Sequence, residues 1–390
     1  MKPADQQKLL ADVEAFCEAI RPIEELCYVE HTFNKEVLPL ARKHNLLGMI
    51  LPAAYGGRDA DTVTYARALA RIGQEGTGVR TFFSGQISIG QYPILTWGNE
   101  EQKRRYLPAA GRGDKICAFG LTEPEAGSNP LEMQMTYERR GDQFVLNGVK
   151  YLISNGGIAD VIVTFAYPKG RTGRISAFIV DTGGPGFAKE DLTAKMGMPT
   201  ANTAMFELTD YAVPAANLLG QEGEGFRIAM GTLVSGRISV AAGCLGVIED
   251  CLTEAVNYAK ERQQHGKPIA KHQLVQEHIA AIEMDRLATE SVVLRAAEAK
   301  DASNANPTNA DLKGRAELLS AQAKLFAANA AWDAADRAVQ VFGGRGWSTL
   351  YRPGRHLQDV RVCRIYEGTD EILKLKVAAA VLGKEYEAYK

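Results

Sequence analysis

No uninterrupted apolar run of about 18 residues occurs, so no membrane-spanning helix is expected. Charge of one sign is equally scarce: 45 Lys+Arg stand against 47 Asp+Glu, a formal net charge of -2. A protein that grips nucleic acid through its phosphates carries a basic surplus, so that class is set aside. Cysteines number only six (Cys17, Cys27, Cys117, Cys244, Cys251 and Cys363), scattered and without a C-x-x-C pair. That spacing suits free thiols in a reducing compartment, and a cytoplasmic location is expected. The opening Met1–Lys8 stretch has neither the apolar core of a signal peptide nor the Arg/Ser bias of a transit peptide, and neither is expected. Internal repeats and low-complexity tracts are missing too.

What remains is the composition of an ordinary globular protein, 46% hydrophobic and 24% charged over 390 residues. Its texture changes twice. Residues 1–115 read helical: Leu9, Leu10, Val13, Phe16, Cys17 and Ile20 recur near a 3.6-residue period, and Asp61 is placed to cap a second amphipathic stretch. Residues 116–225 carry short β-type runs at 144–146, 161–165 and 175–180, separated by Gly- and Asp-bearing turns. They predict a compact antiparallel sheet domain. Residues 226–390 return to long periodic stretches at 273–297 and 316–342, with 301–309 as a polar loop between them. The predicted class is α+β: a helical N-terminal domain, a middle sheet domain and a C-terminal helix bundle.

Five segments carry chemistry. In the first, Ala118–Asn129, a strand runs into a small-residue turn with hydroxyls at Thr122 and Ser128; such turns expose N–H groups to a phosphate or a polar ring edge, or merely close a surface loop. In the second, Asn147-Gly148 signals a hairpin turn, followed by a strand that places Ser154 at its end. The third holds Arg262 after one long helix and Gln273 at the start of the next; the guanidinium either complements a helix dipole or clamps a pyrophosphate. The fourth, Gln340–Trp347, has three glycines in four positions, more than a helix cap needs. The fifth, Arg364–Ile372, sets Glu367 beside Gly368 just before a helix start, as a functional carboxylate or part of a solvated helix end.

Taken together and in this order, Thr122-Glu123-Pro124-x-Ala126-Gly127-Ser128, Arg262-x-x-x-Gly266-Lys267, Gln340-x-Phe342-Gly343-Gly344-x-Gly346 and Ile365-Tyr366-Glu367-Gly368-Thr369 make the chain resemble the acyl-CoA dehydrogenase family over nearly its whole length. The resemblance implies a helical domain, a β-domain and a four-helix bundle, assembled as a homotetramer (a dimer of dimers) with one FAD per subunit and no metal. It implies that Phe119, Leu121, Thr122, Ser128, Leu152 and Ser154 line the flavin, with Ser154 near its N5. Arg262, His265, Gln273, Gln340 and Gly344 would hold the ADP half of a neighbouring subunit's FAD. Thr369 and Glu371 fall at further cofactor positions. Arg80, Ser128, Arg237, Tyr366 and Gly368 fall at substrate positions.

Glu367 matches the base that removes the α-proton of an acyl-CoA thioester while a β-hydride passes to the flavin. Burial under an acyl chain would raise its proton affinity toward that of its target. The alternative base position of some branches is Gly236 here. Leu152 stands where most members have tryptophan, and His265 replaces an aromatic residue. Arg80 aligns with the arginine that reads the distal carboxylate in glutaryl-CoA dehydrogenases, whereas the acid that accompanies it has Gly73 in its place. The implied activity is oxidation to the 2-enoyl-CoA, of a plain short, medium or cyclic acyl group or of one bearing a second carboxylate, with electrons passed to an electron-transferring flavoprotein. The alternatives are an oxygen-using oxidase and a non-catalytic assembly partner.

Overall fold

The computed structural model describes residues 1–388. Helix α1 (Pro3–Val29) buries the stripe Leu9, Val13, Phe16, Cys17 and Ile20, and short α2 (Val37–Lys43) follows. In α3 (Thr62–Gly73) the Asp61 carboxylate accepts from the Thr64 N–H at 2.8 Å, the cap its sequence signals. Helix α4 (Thr77–Phe83) widens into a π-helical stretch, Ser84–Gln91, and re-tightens as α5 (Tyr92–Trp97). Such widenings are rare and gather at functional sites. Helix α6 (Glu100–Arg112) starts on a reciprocal Asn99–Gln102 capping box.

The strands are β1 (Cys117–Gly120), β2 (Thr136–Arg140), β3 (Gln143–Ser154), β4 (Val161–Pro168), β5 (Ser176–Asp181), β6 (Phe187–Asp191), β7 (Thr203–Pro214) and β8 (Leu218–Leu219). They form one sheet in the order β6-β7-β3-β2-β4-β5-β8, with β1 on β4. The sheet is mixed rather than antiparallel throughout: β4 runs parallel to both β1 and β2. The cause is the crossover, since β1 and β4 are joined through β2 and β3 and not by a hairpin. Asn147-Gly148 is not a turn either. It lies inside β3 at a register shift, where Gly148 adopts φ +145° and a Cβ would meet the Met135 backbone at 2.7 Å. The β2–β3 turn is made by Gly141-Asp142.

The C-terminal part contains α7 (Gly225–Glu261), a small β9–β10 hairpin (Gln263–Gln264 with Lys267–Pro268), α8 (Gln273–Ala305), α9 (Ala310–Phe342), α10 (Arg352–Val360) and α11 (Asp370–Leu382). Helices α7, α8, α9 and α11 form the bundle, and α3 packs on α7 and α8. The expected loop at 301–309 is mostly helix: α8 continues to Ala305. Its polarity has another use, because the Asp301 carboxylate accepts from the N–H groups of Thr62 and Val63 at 2.7 and 3.2 Å and caps α3 from across the fold. Among the described residues one helix, α7, is long and apolar enough to cross a membrane, but 83% of its apolar window is buried inside the protein. Ala-rich faces of α7 and α9 make that close packing possible.

Candidate active site

The three parts meet around an open cleft. The α4–π-helical segment contributes Arg80, Thr81, Ser84 and Gly85; β1 and its following turn contribute Phe119, Leu121 and Thr122; the end of β3 contributes Leu152 and Ser154; Tyr366 and Glu367 complete the wall.

Each wall is shaped by local backbone. β3 loses register between Lys150 and Ile153, and Leu152 takes φ +59°. This bulge turns Leu152 out of the sheet, leaving it 55% exposed at the cleft. The Leu121–Thr122 turn is bound to the same strand: the Tyr151 N–H donates to the Thr122 carbonyl at 2.9 Å. Beneath it, the wholly buried Lys150 ammonium donates to Glu123 at 2.7 Å and to the Leu121 carbonyl at 3.1 Å. Glu123 in turn accepts from the N–H groups of Gln134 and Met135. Burial pushes Lys150 down to about 8, against the pull of Glu123.

Glu367 occupies a left-handed conformation, φ +57°, followed by Gly368 at φ +102°. For a residue with a side chain this strain costs of order 1–3 kcal/mol, and the surroundings must impose it. Two buried cations do so. Arg237 on α7 donates through Nε to the Glu367 carbonyl at 3.0 Å, and Lys324 on α9 donates to the Gly368 carbonyl at 2.7 Å. The Glu367 carboxylate rests over Gly236, where a Cβ would come within 2.4–2.5 Å of its oxygens. Its Oε2 is sealed from solvent and has no hydrogen-bond partner among the described residues. Burial pushes this carboxyl up to about 7, opposed by the charges of Arg237, Arg80 and Lys324.

Arg80 is 2% exposed, donates to the Tyr366 hydroxyl and forms no ion pair among the described residues. Tyr366 also contacts the Cys363 thiol at 3.2 Å. Thr369 caps α11 through the Ile372 N–H at 3.3 Å, and Glu371 is exposed in its first turn. Ser128 is exposed and does not line the cleft. Arg262, His265, Gln273, Gln340 and Gly344 are also exposed and outside it. They share one end of the bundle, where Tyr258 and Phe342 stack at 4.1 Å and tie α7 to α9. The sequence reading missed Lys324, Thr81 and the π-helical stretch. Lys324 had one signal: it interrupts the otherwise apolar run Ala321, Ala328, Ala331, Ala335, all buried.

Comparison with known proteins agrees in all three parts. The acyl-CoA dehydrogenase N-terminal, middle and C-terminal domain families match residues 3–114, 118–211 and 223–382. The chain belongs to the acyl-CoA dehydrogenase family. It is thus an oxidoreductase of a flavin-dependent family acting on CH–CH bonds. An acyl-CoA dehydrogenase of Bacillus subtilis (strain 168) is 40% identical over 366 residues, covering 93% of this chain and 94% of that protein. Among solved structures, butyryl-CoA dehydrogenase from Megasphaera elsdenii superposes with a TM-score of 0.91 at 34% identity over 98% of this chain and 99% of that one. A chain in a structure of the electron transferring flavoprotein of Acidaminococcus fermentans gives 0.92 at 35% identity, covering 98% of each. A glutaryl-CoA dehydrogenase from Mycobacterium smegmatis in complex with FADH2 gives 0.90 at 28% identity over 100% of this chain and 97% of that one. This acyl-CoA dehydrogenase therefore keeps the family architecture from end to end.

Proposed function

We propose that the cleft binds FAD beside an acyl-CoA thioester and that Glu367 removes the α-proton as the α,β-bond is oxidised to the enoyl-CoA. The residues fit a flavin. Phe119, Leu121 and Leu152 offer apolar contact to a flat ring, and the hydroxyls of Thr122 and Ser154 offer partners to its polar edge. When bound, the flavin supplies the two-electron acceptor for the β-hydrogen and its electron pair. Glu367 takes the α-proton on a carboxylate oxygen. The single observation that carries this reading is the sealed, partnerless Oε2 of Glu367 at the cleft. An unpaired buried oxygen is costly, so a site that keeps one has a use for it. Burial, against the pull of three cations, brings its proton affinity nearer that of the thioester α-carbon. The Arg237 bond to the Glu367 carbonyl fixes the Glu367–Gly368 peptide, and the Glu367 N–H, in the preceding peptide, would serve the thioester oxygen as negative charge gathers there.

Arg262, His265, Gln273, Gln340 and Gly344 serve the FAD of a neighbouring subunit in a homotetramer, which accounts for their exposure in a single chain. Ser128, Thr369 and Glu371 act at the margins of the cofactor site. Electrons leave to an electron-transferring flavoprotein. The test is anaerobic mixing of the FAD-loaded protein with butyryl-CoA: the flavin's visible band bleaches if the reading is right and persists if it is wrong.

A second reading concerns the acyl group. Arg80 is a buried guanidinium at the cleft with no ion pair among the described residues, and a distal carboxylate on the substrate would supply one. Glutaryl-CoA and benzylsuccinyl-CoA should then bleach the flavin faster than butyryl-CoA. A clear preference for the plain chain removes the anion subsite.

A further inference from the structure

Glu367 and Gly368 present consecutive carbonyls to two cations that come from different helices of the bundle. Arg237 reaches the first from α7, and Lys324 reaches the second from α9. Lys324 is wholly buried and forms no ion pair among the described residues. A lysine held this way is expensive unless its charge is used. The groups that face Glu367 are Arg80 from α4, Arg237 from α7 and Lys324 from α9, all positive. Those that face Lys324 are Asp370 at the start of α11, Cys363 before the Glu367 turn, Cys244 from α7 and Glu367 itself. Asp370 is already engaged by Arg364 at 2.8 Å and by Asn329 at 3.0 Å. Both of those contacts fall on Oδ2, so among the described residues Asp370 keeps Oδ1 unbound as Glu367 does Oε2; of the two carboxylates near Lys324, Glu367 is the one that lines the cleft.

We propose that Lys324 is a positioning residue for the Glu367 carboxylate: with Arg237 it pins the left-handed turn, and its charge favours the ionised side chain in a buried place. The proposal rests on the reading of Glu367 as the base. Without the ammonium the turn loses one of its two anchors, and one of three opposing cations is gone. The Glu367 carboxyl then binds its proton more tightly, so less of it is ready at neutral pH.

Two variants of the FAD-loaded enzyme separate the anchor from the charge. Lys324→Met removes both, and Lys324→Gln keeps a donor for the Gly368 carbonyl while removing the charge. The Glu367 carboxyl is titrated by infrared difference spectroscopy in the absence of substrate, its band identified by its loss in Glu367→Gln. Both variants should raise the midpoint by about one pH unit. At pH 7 the flavin-bleaching rate should fall about fivefold and recover at higher pH, while Lys324→Arg restores the original midpoint. If Lys324→Met fails to fold, Lys324→Gln carries the test. An unmoved midpoint in Lys324→Gln, or a lowered melting temperature with an unchanged pH profile, overturns the proposal. The titration needs no turnover. If Glu367→Gln bleaches at the wild-type rate, the base reading falls while the midpoint still decides what Lys324 does to that carboxyl.

Discussion

Gly236 has no room for a side chain, because a Cβ would lie 2.4–2.5 Å from the Glu367 oxygens. Gly236→Ala should push the carboxylate off its seat and lower the single-turnover rate about 100-fold. FAD content, read from the visible spectrum, should stay unchanged. The carboxyl itself gives a pH signature. Burial raises it to about 7, so the proton-accepting form accumulates above that value and is lost below it. The bleaching rate should therefore climb between about pH 6 and 8 and then level off. A rate that is flat across that range would contradict the assignment. Glu367 and Thr122, which line the cleft, were legible in the sequence because each sits inside a motif with fixed spacing, and Leu152 only through the resemblance, as a departure from its usual tryptophan. Lys324 was not, since a lysine in an Ala-rich helix reads as a solvated side chain. Its place in an apolar run hinted at the opposite, and its own complete burial on α9 shows it.

At the scale of elements, the Lys150–Glu123 pair joins β3 to the turn that carries Thr122. Breaking a buried pair by removing one partner typically costs about 3–5 kcal/mol. Lys150→Met should lower the denaturant midpoint accordingly and weaken FAD retention on a desalting column, because the turn is then free of β3. Asp301 acts on a different element, capping α3 from α8. Asp301→Ala should destabilise the fold by about 1 kcal/mol in a denaturant titration while leaving the flavin spectrum alone. Neither link was visible in the sequence. Periodicity locates helices and strands but says little about which distant element receives a polar side chain. The same limit explains the parallel β1–β4 and β2–β4 pairings. It also explains Asn147-Gly148, whose hairpin signal is local whereas the long β3–β7 ladder that absorbs it as a bulge is not.

For the whole molecule, the order helices, sheet, helices was legible because the apolar period switches from 3.6 to 2 and back. The lengths of α8 and α9 were underestimated where polar residues serve as caps and anchors. What a single chain leaves unexplained is the polar cluster at one end of the bundle: Arg262, His265, Gln273, Gln340 and Gly344 face outward, away from the cleft. The proposed assembly would give them a purpose, the FAD of a neighbouring subunit. Sedimentation should show a tetramer, and Arg262→Ala should release FAD more readily from the assembled protein. A monomer that holds one FAD per chain would contradict that placement.

The central claim is that the Glu367 carboxylate takes the α-proton. The most direct measurement is single-turnover, anaerobic bleaching of the flavin by a saturating acyl-CoA in Glu367→Gln, with FAD content and thioester binding verified beforehand. The account predicts a fall of at least about 10²–10⁴-fold, the range for losing a positioned general base. Bleaching at the wild-type rate would contradict it.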